Sequence, residues 1–161
     1  MRELPYDAFL LFTFVISFLQ KSTLWIPNTR RWTSYEWHDE MYIIIACNDN
    51  ADQNEQAYSY VYKVVNDQLH EFQKLPTKRA FGVTAIDADG HFYVIFAYMY
   101  GIASDVFRFE STRFVKHSSI PVIGSDIQSF KIGKTVYLAV VGRSIFAMFF
   151  CSHGHPSTQK T

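Results

Sequence analysis

The feature that most constrains the fold of this chain is a degenerate internal repeat with a period of about 45 residues. The motif Val-Tyr-Lys-Val at residues 61–64 returns as Val-Phe-Arg-Phe at residues 106–109, an offset of 45. The step Leu75-Pro76 returns as Ile120-Pro121 at the same offset. Landmarks that recur in one order at a nearly constant spacing indicate a supersecondary unit copied along the chain.

The register of the repeat extends in both directions from this pair. Phe-Tyr-Val at residues 92–94 matches Val-Tyr-Leu at residues 136–138, and Met-Tyr-Ile at residues 41–43 is an earlier copy of the same motif. Ile26-Pro27 is an earlier copy of the proline step. The repeat therefore predicts about three units, with approximate bounds 24–57, 58–103 and 104–150.

Each unit is predicted to contain four short strands. The first alternates in polarity, as in Phe107 and Phe109 against Arg108, which is the pattern of a half-buried strand. The second ends at the proline step, because proline lacks the N–H that a strand ladder needs. The third ends in a glycine turn such as Asp89-Gly90, a strong hairpin signal. The fourth, as at residues 137–141, is nearly all apolar, which is typical of a strand covered on both faces.

Four short strands in about 45 residues correspond to one blade of a β-propeller. A blade needs a neighbour on each face to bury its apolar side chains. The high aromatic content of 17% suits packing between such sheets. We therefore expect an all-β fold of four-stranded antiparallel blades, with about three units of an incomplete propeller, since three units are too few to close a ring.

One connection varies strongly in length between the units. It joins the fourth strand to the next unit and spans residues 48–57, 98–104 and 142–144 in turn. A constant scaffold with a variable loop is one way in which a fold presents a binding surface. Neutral drift of a solvated loop is the alternative interpretation.

The two ends of the chain differ from the repeats. Residues 8–19 read AFLLFTFVISFL, an uncharged run that is too short to span a bilayer as a helix. Within an N-terminal segment of residues 1–23, this run is interpreted either as worn blade strands or as a signal-like segment. Residues 151–161 are predicted to be a disordered tail. Cys47 and Cys151 are expected to be small buried thiols, with a single disulfide as the alternative in an exported chain.

Charge and chemistry exclude several functional classes. The chain has 15 basic and 15 acidic residues with no long block of like charge, so no nucleic-acid partner is expected. None of the six histidines lies in a frame typical of nucleophilic catalysis. They are expected to be surface or turn residues, and they are His38, His70, His91, His117, His153 and His155. Cys151, His153 and His155 are too few for a zinc site in a tail. We expect no catalytic residue, no cofactor and no small-molecule substrate.

Several motifs together resemble the EAR repeat, which is also called the epitempin or EPTP repeat. In one copy they are residues 62–64, the run Phe-Gln-Lys-Leu-Pro-Thr at 72–77, and residues 92–94. The following copy supplies residues 107–109, 119–122, 124–130 and 137–140, together with Phe114. The earlier strand Tyr-Ile-Ile-Ile-Ala-Cys-Asn at residues 42–48 is similar to the Y-L-x-V-A-N strand of the family. The resemblance covers about residues 24–150.

The resemblance implies a seven-bladed propeller in extracellular proteins, such as the leucine-rich glioma-inactivated proteins. The domain is a non-catalytic binding module in that family, with cell-surface receptors as partners of some members. Acids on the inner strands of the family can hold a cation, and Asp126 in Gly124-Ser125-Asp126 is the one matching acid here. Residues 79–82, the comparable stretch of the preceding copy, contain no acid. Because calcium needs 6–8 oxygen ligands, Asp126 is only a weak candidate for a metal site.

The resulting hypothesis is an extracellular protein–protein interaction module that binds a cell-surface or matrix receptor. One alternative is an intracellular Kelch-like adaptor, which is disfavoured because no Gly-Gly blade signature is present. The other is a propeller hydrolase, which would depend mainly on Asp126. Since exposed blade edges promote association, residues 1–161 alone are expected to be oligomeric or poorly soluble.

Overall fold

The computed structural model describes residues 24–48, 57–142 and 147–152, the last range as backbone. These ranges contain eleven β-strands. They also contain no helix that is long and apolar enough to cross a membrane. The strands are β1 (Thr29–Trp37), β2 (Glu40–Cys47), β3 (Ala57–Val65), β4 (Gln68–Thr77), β5 (Ala80–Ala88), β6 (His91–Tyr98), β7 (Ser104–Glu110), β8 (Arg113–Ile120), β9 (Asp126–Ile132), β10 (Thr135–Val141) and β11 (Ala147–Ser152).

The strands form three antiparallel sheets in which each strand pairs with its neighbours in sequence. Sheet A has the order β1-β2-β3-β4, sheet B the order β5-β6-β7-β8, and sheet C the order β9-β10-β11. The prediction of an all-β fold of propeller-like blades is confirmed, with four strands in sheets A and B and three strands in sheet C among the described residues. The apolar run at residues 8–19 lies outside the described residues, as does most of the connection at 48–57.

Tight turns join successive strands at one end of every sheet. His38-Asp39, Asn66-Asp67 and Asp89-Gly90 are two-residue turns in which both residues have a positive φ. Such turns match the twist of the strands that they join, and Asn, Asp and Gly tolerate this conformation best. The predicted hairpin at Asp89-Gly90 is confirmed. Because the strands alternate in direction, these turns share one end of the molecule, which we call the hairpin end. The other connections share the opposite end, which we call the loop end.

The sheet boundaries fall inside the predicted repeat units. Residues 58–103 supply β3 and β4 to sheet A but β5 and β6 to sheet B. The period is unaffected, because a repeat has the same length wherever its origin is placed. The last strand, β11, continues to Ser152, which pairs with Val136. Residues 151 and 152, which were predicted to belong to a disordered tail, therefore lie in a strand because the ladder with β10 extends to them. Residues 153–161 lie outside the described residues.

The sheets pack face to face through apolar side chains that alternate along the central strands. Phe92 and Val94 of β6 pack towards sheet A, against Tyr42 and Ile44 of β2. The alternate residues of β6, namely Tyr93, Ile95 and Ala97, point the other way and share a second core with sheet C. That second core contains Ile95, Ala97, Val106, Val122, Ile127, Leu138 and Val140. Sheet B is therefore packed on both of its faces, as a propeller blade is.

The innermost strands β1, β5 and β9 lie side by side. The backbones of β5 and β9 approach closely at Gly82, where a Cβ atom would lie 2.8 Å from the Cα of Asp126. Only glycine allows this approach without displacing a strand. The glycine therefore fixes the spacing of sheets B and C at their inner edge.

The prediction that the fourth strand of each unit is covered on both faces holds for β6 but not for β10. Residues 94–98 of β6 are all buried. In β10, Leu138 and Val140 are buried while Val141 is exposed. The reason is that sheet C packs on sheet B only, and the described residues contain no further sheet on its other face.

Candidate protein-binding surface

Asp126, the weak candidate for a metal site, is the first residue of the inner strand β9. Its Oδ2 atom lies 3.3 Å from Nη2 of Arg31 in β1, and its Oδ1 accepts the N–H of Ile127 at 3.0 Å. The carboxylate of Asp126 is therefore paired with the guanidinium of Arg31. Among the described residues, no group of three His, Cys, Asp or Glu side chains is arranged to hold a metal ion. The carboxylate joins sheet A to sheet C across Gly82.

Asp87 in β5 is a second acid on the inner strands, and it also faces a cation. Nζ of Lys131 lies 2.7 Å from one carboxylate oxygen, and the hydroxyl of Tyr35 donates to the other. The hydrogen bonds from Lys131 and then Tyr35 hold the pKa of Asp87 below its usual range. Burial, together with the bond to Asp87, raises the pKa of Tyr35 to about 12. These contacts join all three sheets at their inner edge.

Asp105 is a buried acid that the sequence did not single out. Its carboxylate accepts hydrogen bonds from the hydroxyl of Tyr98 at 3.0 Å and of Ser119 at 2.7 Å, and Nζ of Lys116 lies 2.8 Å away. Burial acts to raise the pKa of Asp105, but these three partners outweigh it and hold the pKa below its usual range. The group fixes the strand ends of sheet B. The sequence gives little signal for it, because β7 also carries the charged residues Arg108 and Glu110.

The histidines of the described residues do not gather into a site. His38, His70, His91 and His117 are all exposed. The ring of His38 stacks on Trp37 in a hairpin turn, and that of His117 packs beside Tyr93. The prediction of surface and turn histidines is confirmed for these four. His153 and His155 lie outside the described residues, so the cluster with Cys151 stays untested, whereas Cys47 is buried as expected.

Aromatic and aliphatic side chains that are exposed or partly exposed lie on the connections and strand ends at the loop end of sheets A, B and C. We call Arg30, Phe81, Tyr100, Ile102 and Ile123 the loop-end patch. The guanidinium carbon of Arg30 lies 5.5 Å from the ring centroid of Phe81, and that ring meets the ring of Tyr100 edge-on at 6.0 Å. Tyr100 is 53% exposed and Ile102 is 91% exposed. Large apolar side chains exposed in this way are typical of interaction sites when they cluster.

Backbone hydrogen bonds hold the connections that carry this patch. The N–H of Gly124 donates to the carbonyl of Tyr98 at 2.8 Å, and that of Ser125 donates to the carbonyl of Val141 at 2.7 Å. The hydroxyl of Ser104 donates to the carbonyl of Val122 at 2.8 Å. Val122 is thereby buried while the adjacent Ile123 is exposed. A surface that is ordered before binding loses less entropy when a partner docks.

A second apolar surface lies on the outer face of sheet A. It is a groove of about 460 Å³ lined by Leu24, Trp25, Ile26, Thr29, Trp32, Ile43, Ile45 and Leu69. Trp25 and Trp32 are both largely exposed beside it. The sequence predicts apolar strands here but does not reveal which of their faces remain open.

Two comparisons with known proteins identified no related protein. No protein-family model matches the chain, and no curated protein matches it either. The resemblance to the EAR repeat is therefore neither supported nor contradicted, and it stays a prediction.

Proposed function

We propose that this chain is a non-catalytic extracellular protein-interaction module whose loop-end patch binds a cell-surface or matrix protein. The observation that carries the proposal is the exposure of Tyr100 and Ile102 on a connection between two well-packed strands. A loop mounted on a rigid sheet is a common location for binding residues.

The side-chain types in the patch suit a protein partner. Tyrosine and arginine are enriched among the residues that dominate the energy of protein interfaces. The patch combines both with aliphatic side chains, through Tyr100, Arg30 and Ile102. Since the chain has no net charge, the partner is recognised by shape and apolar contact rather than by long-range attraction.

The acids at the inner edge favour a binding role over hydrolysis. Asp87 and Asp126 each contact a basic side chain, so these carboxylates act as bridges between sheets. The resemblance of residues 24–150 to EAR repeats supports the extracellular location and a receptor as the partner. The balance of exposed apolar loops and paired acids therefore fits an interaction module best.

Two variants test the binding surface. We expect Ile102→Asp and Tyr100→Ala to weaken binding of the purified protein to intact cells, as measured by flow cytometry. A residue at the centre of an interface contributes about 2 kcal/mol, which corresponds to a roughly 30-fold loss of affinity. Val65→Asp is the matched control, because Val65 is an exposed aliphatic residue at the hairpin end. Equal binding by Ile102→Asp and Val65→Asp would contradict the proposal.

Export tests the location separately. We expect the full chain, expressed with its own N-terminus in cultured animal cells, to appear in the medium or on the cell surface. Protease treatment of intact cells distinguishes surface protein from internal protein. Complete retention inside the cell would favour the Kelch-like adaptor instead.

A further inference from the structure

We infer that two copies of this chain associate head to tail, with the outer face of sheet C in one copy packed on the outer face of sheet A in the other. The outer face of sheet A is the groove around Trp32, Ile43 and Ile45. The outer face of sheet C carries Phe130 and Tyr137. Both surfaces are separate from the loop-end patch, so this inference is independent of the proposed function.

The outer face of sheet A is equivalent to faces that sheets B and C bury. One position of each inner strand lies five residues before the last residue of that strand. It is occupied by Trp32 in sheet A, Val83 in sheet B and Ile127 in sheet C. They also pair with equivalent residues of the next strand, namely Ile45, Phe96 and Val140. Val83 and Ile127 are fully buried against the preceding sheet, whereas Trp32 is 66% exposed. Sheet A therefore presents the face that receives a preceding sheet.

The outer face of sheet C is equivalent to the face that sheet A packs on sheet B. Tyr35 and Phe130 each lie two residues before the end of their inner strand. Tyr35 stacks on Phe92 of the next sheet, with ring centroids 4.9 Å apart. Phe130 is 38% exposed and stacks on Tyr137 of its own sheet at 5.4 Å. Sheet C therefore presents the face that packs on a following sheet.

These two open faces are the two halves of one kind of interface. A contact between different surfaces of identical chains is heterologous, and it forms a closed ring when the rotation closes. Two copies with three sheets each make six blades, and closed propellers have about four to eight. A closed dimer covers the outer faces of sheets A and C, which are the two sheet faces that the described residues leave open.

Charge at the inner edge supports the same pairing. The last residue but one of each inner strand is Glu36 in sheet A, Asp87 in sheet B and Lys131 in sheet C. Between sheets B and C this position forms the ion pair of Asp87 and Lys131. In the head-to-tail contact, Lys131 of one copy approaches Glu36 of the other. The new interface thus repeats the opposite charges of the contact between sheets B and C. Between sheets A and B the same position carries two acids, and Asp87 accepts a hydrogen bond from Tyr35 there.

A complementation experiment on the full chain tests the inference. We expect the wild-type protein to have the mass of a dimer in size-exclusion chromatography with light scattering. Trp32→Glu and Phe130→Glu are each expected to be monomeric. Both copies carry the substitution, so each of the two interfaces in the closed dimer contains one altered face. An equimolar mixture is expected to form a 1:1 dimer, because one intact interface remains available. Ile102→Asp is the control that stays dimeric, and circular dichroism confirms that each variant is folded.

Other outcomes overturn the inference. A wild-type protein that stays monomeric at high concentration contradicts the inferred contact. A dimer that survives Phe130→Glu but not Trp32→Glu means that sheet A pairs with itself. A mixture that stays monomeric excludes head-to-tail contact.

A milder variant keeps the test valid if the glutamate variants do not fold. Glu36 is exposed, so Glu36→Lys leaves the interior of the sheet unchanged. The substitution places a second positive charge near Lys131 of the other copy. It is expected to weaken the dimer about fivefold at low salt, with less effect at high salt. An unchanged dimer affinity at low salt would overturn the inferred contact.

Discussion

Phe92 is the side chain whose removal should destabilise the molecule most. It is fully buried between sheets A and B. Its ring lies 4.9 Å from that of Tyr35, 5.0 Å from Phe114 and 5.7 Å from Trp37, measured between centroids. Replacing a buried phenylalanine by alanine costs about 3–5 kcal/mol, and aromatic pairs add about 0.5–1.5 kcal/mol each. We expect Phe92→Ala to cost about 4–5 kcal/mol, which approaches the lower end of the roughly 5–15 kcal/mol by which domains are stable.

Urea denaturation followed by tryptophan fluorescence measures this loss, because Trp37 stacks on Phe92 and reports on the interface. Phe92→Leu keeps most of the volume and is expected to cost about 1.5 kcal/mol. Phe81→Ala is the control, since Phe81 is a partly exposed ring of the loop-end patch. A loss below about 2 kcal/mol for Phe92→Ala, or an equal loss for Phe81→Ala, would refute the central role of this ring.

Three further predictions concern the contacts between and within the sheets. The side-chain amide of Gln73 donates to the carbonyl of Phe114 at 2.9 Å and accepts its N–H at 2.8 Å, so Gln73→Ala should cost about 1–3 kcal/mol in urea denaturation. Gly82→Ala should cost about 2 kcal/mol or more, because the added Cβ meets the backbone of Asp126. The lowered pKa of Asp105 stabilises the fold above pH 4 or so, and this stability is lost as the pH falls through the folded-state value. Asp105→Asn should therefore flatten the acid side of the melting temperature profile.

Each of these predictions has a matched control. Lys74→Ala, next to Gln73 but more exposed, removes only a cation–π contact with Tyr60 at 5.5 Å and should cost no more than about 0.5–1 kcal/mol. A Cβ atom at Gly90 would meet no neighbour, but Gly90 has a positive φ. Gly90→Ala therefore measures the cost of backbone strain alone, for comparison with the steric collision that Gly82→Ala produces. An acid profile for Asp105→Asn that matches the wild-type profile would show that another carboxylate sets the acid limit.

The strands and hairpins were predictable because their signals are local. Alternating polarity and the pair Asp89-Gly90 act within a few residues, and both are present in the sequence. The boundaries of the sheets were not predictable from the overlay of the repeats. Lys78-Arg79 is a two-residue connection like the hairpin turns, yet it joins β4 of sheet A to β5 of sheet B. Length alone cannot distinguish a turn within a sheet from a step between sheets.

The contacts of the site were less predictable than the fold, because they join distant parts of the chain. The sequence identifies the acid at Asp126, but its partner Arg31 belongs to another sheet. Exposure of an apolar residue also depends on what packs above it, and the sequence does not show this for Ile102. The variable connection at residues 98–104 is the one signal in the sequence that points to the loop-end patch.

The separation of a hairpin end from a loop end divides the chain into conservative and permissive positions. Asn66, Asp67 and Asp89 occupy backbone conformations that most side chains disfavour. Replacement of these residues therefore changes stability directly. The connection at residues 99–103 can be exchanged or lengthened with little effect on strand register, because closing a longer loop costs little free energy. Recognition can thus diversify at one pole of the molecule while the opposite pole preserves the architecture.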